Sequence, residues 1–128
     1  MKTTIIGAGS MGSAFVRRLS RNGHEVRVVA RDAGKAQVVK ALNTLFAQVI
    51  AEGADLGQGQ VAPTFVASDS EPAKCVAKAL AQSPGFNVVV AGELRNARYL
   101  EPLAGLNICL GYGAGSGTAI APTWISRS

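Results

Sequence analysis

An α/β layered fold with a mainly parallel sheet of about four strands is the architecture predicted for this chain. Three observations carry it. Runs rich in β-branched residues alternate with stretches of helical periodicity, the order expected when helices cover a parallel sheet. A glycine-rich turn separates the first such run from the first helical stretch. The 128 residues are 48% hydrophobic with few aromatics, enough for one domain, 1–128, with a core of Val, Ala, Ile and Leu.

The elements follow in order. "KTTII" at 2–6 reads as a buried strand. From Ser10 to Asn22, the positions Met11, Ala14, Phe15, Arg18 and Leu19 fall three and four apart, as on an amphipathic helix, and Gly23 suits its left-handed cap. "EVRVVA", 25–30, is a second strand. Over 34–52, Val38, Leu42, Leu45, Phe46, Val49 and Ile50 keep helical spacing and Gly53 supplies a stop. "QVVKAL" also fits a short strand at 37–41, with Asn43-Thr44 capping a following helix. The linker 32–36 is too short for a parallel crossover, which favours helix over most of 34–52. A polar loop at 53–60, a strand at 62–68, a helix capped by Ser68 and running to about Ala81, and a strand at 85–92 come next. A helix is expected over most of 98–113. The tail, with Gly113, Gly115 and Gly117 in a loop, is expected to end in a short helix around Trp124.

Gly7-Ala8-Gly9-Ser10-Met11-Gly12 is G-x-G-x-x-G, between a strand and a helix and ahead of a second strand. That context makes it a dinucleotide-binding turn, and the fold a shortened Rossmann-like one. Gly7 permits the tight turn, Gly9 lets backbone approach a pyrophosphate, and Gly12 lets the helix pack on the strand. Amides at the helix start, through Ser10 and Met11, face the phosphates. At the end of the second strand, where NAD-binding chains carry an acid for the ribose hydroxyls, stand Ala30 and Arg31. Arg31, with Lys35 one turn on, suits a 2′-phosphate, so NADP(H) is the expected cofactor.

The remaining residues narrow the field. A net charge of +5 is spread singly or in pairs, without interleaved aromatics, which argues against nucleic acid. Cys75 and Cys109 lack metal or redox spacing and read as buried thiols of a cytoplasmic protein. No apolar stretch approaches the length of a membrane span, so no membrane partner is expected. His24, the single histidine, falls in a turn and reads as a capping or solvated residue. Asp69 and Glu71 belong to a helix start, and Arg95, Arg98 and Glu101 to surface ion pairs. No metal site is expected and no catalytic side chain is assigned.

"IIGAGSMGSAFVRRLSRNGHEVRVVAR" resembles the amino-terminal segment of the NADP reductases that use the deazaflavin coenzyme F420, and of their dinucleotide-binding relatives. "VVKALNTLFAQVIAEG", "TFVASDSEPAK" and "ARYLEPLAGLNICLGYGAGSGTAIA" resemble later segments of those proteins. The resemblance implies hydride transfer between NADPH and a deazaflavin or another small-molecule acceptor. It implies that Gly7, Gly9, Ser10, Met11 and Gly12 hold pyrophosphate, that Arg31 holds the 2′-phosphate, and that Asn43 and Thr44 face the cofactor. The relatives place several strands and helices between the second strand and the "VVKALNT" segment, and this chain joins the two almost directly. It looks internally deleted, in the part that cradles the nicotinamide half. Two alternatives follow: a non-catalytic dinucleotide-binding module, and a degenerate homo-oligomeric relative whose open sheet edge a second copy covers as a homodimer.

Overall fold

The computed structural model describes residues 38–127 in full and residues 2–6 and 25–29 by their backbone. The glycine turn at 7–12, the helix expected over 10–22, Gly23, His24, Ala30, Arg31 and Lys35 lie outside the described residues. In chain order the described strands are β1 (Lys2–Ile6), β2 (Glu25–Val29), β3 (Lys40–Ala41), β4 (Asp55–Gly57), β5 (Gln60–Val61), β6 (Pro63–Ala67) and β7 (Asn87–Gly92). The described helices are α1 (Ala47–Glu52), α2 (Glu71–Gln82) and α3 (Ala97–Ile108), the last continued by a π-helical turn at Cys109–Gly113.

β1 and β2 pair in parallel, with Lys2 opposite Glu25 and Ile6 opposite Val29. β6 lies between β3, antiparallel to it, and β7, parallel to it. Among the described residues the strands therefore form a parallel pair, a mixed three-stranded sheet and a separate β4–β5 hairpin. This corrects the expected single, mainly parallel sheet of about four strands. The physical reason is β3, which reaches β6 from the opposite direction and closes that side of the sheet.

The helix expected over most of 34–52 is confined, among the described residues, to Ala47–Glu52. The strand alternative holds at Lys40–Ala41, where Lys40 pairs with Ala67 and Ala41 with Val66. Leu42 then takes φ 62°, a left-handed conformation that ends any helix running through it. Its N–H donates to Thr64 Oγ1 at 3.2 Å, and its carbonyl accepts from Leu45 N–H at 3.3 Å. Tertiary hydrogen bonds to β6 thus outweigh the local periodicity. The apolar residues still do what the spacing required: Leu45, Phe46, Val49 and Ile50 are buried, packed with Ala62, Phe86 and the tail's Ile120.

The polar stretch 53–60 is a hairpin rather than a loop. Gln58 and Gly59 both have positive φ, 53° and 75°, the two-residue turn that matches strand twist. All five residues of β6 are buried, as expected for a central strand covered on both faces. α2 lies between the parallel β6 and β7 in sequence and packs on both. Its cap is Ser70, whose Oγ accepts from Ala73 N–H at 3.3 Å, not Ser68. Ser68 Oγ instead accepts from Ser70 N–H at 3.2 Å and donates to the Val38 carbonyl at 2.6 Å.

The helix expected over 98–113 is present as α3 and its π-helical turn. The terminal helix around Trp124 is absent: residues 114–127 carry no helix, and Gly115 and Gly117 take positive φ. Trp124 packs its ring edge-on to Phe65 instead, at 5.2 Å. Cys75 and Cys109 are exposed, not buried. Cys75 directly follows Lys74, whose stem lies in the protein, so the helical rotation turns the thiol outward.

Ser70→Ala is expected to lower unfolding free energy by about 1 kcal/mol through loss of the α2 cap. Ser68→Ala is expected to cost more, because one hydroxyl joins two backbone groups there. Urea denaturation of the two variants ranks them.

Candidate functional site

A cavity of about 540 Å³ opens between the turn at 41–48 and the inner face of α3. Leu42, Asn43, Thr44 and Phe46 form one wall; Ala104, Asn107, Ile108 and Tyr112 form the other. Two side-chain amides tie these walls together. Asn43 Nδ2 donates to the Leu100 carbonyl at 3.1 Å, and Asn107 Nδ2 donates to the Thr44 carbonyl at 3.0 Å. Asn107 is buried, so its bond is shielded from water and holds α3 firmly against the turn.

The same turn leaves polar atoms unpaired. Thr44 is 1% exposed and its Oγ1 has no hydrogen-bond partner; Asn43 Oδ1 is buried and has none either. Each such atom costs about 1–3 kcal/mol. The left-handed Leu42 directly before them adds a backbone cost of about 1–3 kcal/mol. Strain and unmet hydrogen bonding are thus concentrated in three consecutive residues of a cavity wall, with both unpaired atoms buried within it.

The opposite wall depends on one close approach. A Cβ on Gly111 would stand 2.5 Å from Phe46 Cζ and 2.9 Å from the Gly117 carbonyl oxygen. Only glycine lets the π-helical turn press against Phe46, whose ring meets Tyr112 edge-on at 5.5 Å and 89°. None of the cavity's lining residues is charged. Its lining is largely apolar and holds no acid–base pair.

Of the residues singled out from sequence, Gly7, Ala8, Gly9, Ser10, Met11, Gly12, Arg31 and Lys35 lie outside the described residues. Asn43 and Thr44 meet at the cavity. Asn107 and Tyr112 were missed, although a lone Asn inside the apolar run "LNICLGYG" was the available signal. Asp69 and Glu71 are structural: Asp69 Oδ1 accepts from Leu94 N–H at 2.9 Å, and Glu71 pairs with Lys74. Arg95 pairs with Glu93 at 2.9 Å, Glu101 pairs with Lys40, and Arg98 sits 4.9 Å over the Tyr99 ring. Among the described residues, no three His, Cys, Asp or Glu side chains gather to hold a metal ion, and no helix is long and apolar enough to cross a membrane.

The family model described as NADP oxidoreductase, coenzyme F420-dependent, matches residues 2–91. The chain belongs to this family. The matched segment runs from β1 into β7, so it takes in the glycine motif, Arg31 and the Asn43–Thr44 turn of this NADP oxidoreductase relative. No curated protein matches the chain. A crystal structure of a protein from Arthrobacter sp. FB24, provisionally designated an F420-dependent NADP-reductase, is similar with a TM-score of 0.74 and 18% identity. The likeness covers 93% of this chain and 96% of that one, and shows the fold alone.

Thr44→Val removes a buried hydroxyl that has no partner, so the free protein is expected to be as stable as the parent or more stable by up to about 1 kcal/mol. Gly111→Ala is expected to lose about 1–3 kcal/mol by overpacking. In thermal and urea melts Gly111→Ala should fall below the parent and Thr44→Val should not.

Proposed function

We propose that the chain binds NADP(H) through the turn Gly7–Gly12, including Ala8, and through Arg31 and Lys35, and that the 41–48 cavity receives the ring of a deazaflavin or related small-molecule acceptor. The observation that carries this reading is G-x-G-x-x-G followed, at the end of the second strand, by Arg31 where an acid would select NAD. Both lie inside the segment that the family model matches. Backbone amides at the start of a helix suit the pyrophosphate, and a guanidinium fork suits a 2′-phosphate. We take the protein to be a single Rossmann-like domain, cytoplasmic and homodimeric.

The uncharged cavity suits a flat, largely apolar ring, with Asn43 and Thr44 in its wall. Leu42, Ala104 and Ile108 supply apolar walls. NADPH, when bound, supplies a hydride and the acceptor ring takes it. The protein's part is to orient two rings and exclude water, which requires no charged side chain at the reacting atoms. An uncharged cavity is consistent with that division of labour. The second reading, a dinucleotide-binding module without turnover, is favoured by the short join, residues 32–37, between Arg31 and the "VVKALNT" segment.

Fluorescence titration is expected to give tighter binding of NADPH than of NADH. Arg31→Ala should weaken NADPH by about 10–100-fold, the worth of a charge-assisted hydrogen bond, and leave NADH nearly unchanged. Equal losses would overturn the assignment of Arg31. Ile108→Glu, which puts a charge on the exposed part of the cavity wall, should weaken the acceptor, read as a higher KM in NADPH-dependent reduction of the deazaflavin, with NADPH affinity unchanged. Binding of NADPH with no reduction of any acceptor would select the module without turnover.

A further inference from the structure

Among the described residues three aromatic side chains stand well out of the protein: Tyr99 at 61% exposure, Tyr112 at 67% and Trp124 at 66%. Exposure alone decides little, because scattered apolar groups are common on any protein surface. Their surroundings separate them. Tyr99 carries the Arg98 guanidinium 4.9 Å over its ring, and Trp124 meets Phe65 edge-on at 5.2 Å. Neither lines the cavity at 41–48. Tyr112 does.

Tyr112 is open and braced at once. It lies in the π-helical turn Cys109–Gly113, a rare conformation that recurs at functional sites. Its two neighbours, Gly111 and Gly113, have no side chains to screen its ring. A Cβ on Gly113 would meet nothing within 4 Å, so that part of the turn borders open space. The brace is Phe46, a buried core ring against which Gly111 closes tightly. Tyr112 meets this ring at a centroid distance of 5.5 Å and an interplanar angle of 89°. A single perpendicular contact engages at most one face of a ring, so at least one face of Tyr112 is not used by Phe46.

The geometry points to Tyr112 as the stacking platform of the cavity, the ring that receives one face of a bound planar acceptor and sets the plane in which it lies. This rests on the reading of the cavity as the acceptor site and names the residue that orients the acceptor there. The cavity lining is uncharged, so no ion pair is available to fix a ligand, and orientation falls to stacking and apolar contact. Offset aromatic faces gain dispersion and quadrupole alignment that an aliphatic side chain of similar size does not supply. The brace on Phe46 limits the side-chain freedom that Tyr112 would lose on binding. An acceptor stacked by one face also keeps its opposite face open to a hydride donor.

Titration of the full chain with the deazaflavin, followed through quenching of the deazaflavin's fluorescence, is the test. Tyr112→Leu keeps an apolar side chain and removes the platform, and is expected to weaken binding by about 10–100-fold, the worth of one base-like ring stacked on an aromatic side chain. Tyr112→Phe keeps the platform and should bind like the parent, and NADPH affinity should be the same in all three proteins. Should Tyr112→Leu fail to fold, hydroxyl-radical footprinting of the parent takes its place: saturating deazaflavin is expected to protect Tyr112 and not the similarly exposed Tyr99. Equal binding by Tyr112→Leu and the parent, equal losses in Tyr112→Leu and Tyr112→Phe, or equal modification of Tyr112 with and without deazaflavin would overturn the platform and leave the acceptor site standing. A parent that binds no deazaflavin would overturn both.

Discussion

Two hydroxyls on one buried stretch of chain hold the rest of the structure in place. Thr64 lies within β6 and Ser68 just past its end, and both are fully buried. Each reaches the segment that precedes α1: Thr64 Oγ1 accepts from Leu42 N–H, and Ser68 Oγ donates to the Val38 carbonyl. Between these two clamps, Lys40 and Ala41 pair with the end of β6. The chain from 38 to 42 is thereby fixed at three levels. Leu42 must turn sharply to bring Leu45 and Phe46 into the core, so its left-handed backbone follows from the clamps. The unpaired atoms of Asn43 and Thr44 follow in turn, because a chain forced round so tightly cannot aim every polar group at a partner.

This hierarchy explains which parts were legible in the sequence. β6, α2, β7 and α3 were readable because their own residues decide them: β-branched runs, a proline-bearing first turn and a sustained apolar period. Residues 38–46 were not. Their apolar spacing is genuine, since Leu45, Phe46, Val49 and Ile50 are buried as a helix would bury them. The decision against helix is made by Thr64 and Ser68, more than twenty residues away, and no local window contains them. The hairpin at 55–61 hid for a different reason: glycines and glutamines read as loop, and the two-residue turn shows only in the positive φ of Gln58 and Gly59 and in the pairing of the strands beside them. Ser68 and Ser70 both precede α2, and the tertiary demand of Val38 on Ser68 leaves capping to Ser70.

The candidate site was legible in kind but not in composition. Asn43 and Thr44 came from resemblance, whereas Asn107 and Gly111 emerge only when α3 is seen against the turn. Gly111 is a matter of distance: its meaning is the position of the Phe46 ring, which sequence does not supply. Asn107 is a matter of accounting. The Thr44 carbonyl is deep in the protein and must be met, and a single amide on an otherwise apolar helix meets it.

The clamped turn and the apolar helix also explain each other. A turn carrying strain and two orphaned polar atoms persists only if its surroundings hold it there. Here the surroundings are β6 on one side and α3 on the other, joined through Asn43 to the Leu100 carbonyl and through Asn107 to the Thr44 carbonyl. α3 is therefore a structural part of the site as well as its wall. A helix given that task is itself held in place: Leu100, Ala104 and Asn107 along its inner face are buried, and Gly111 in the turn that continues it lies against the Phe46 ring.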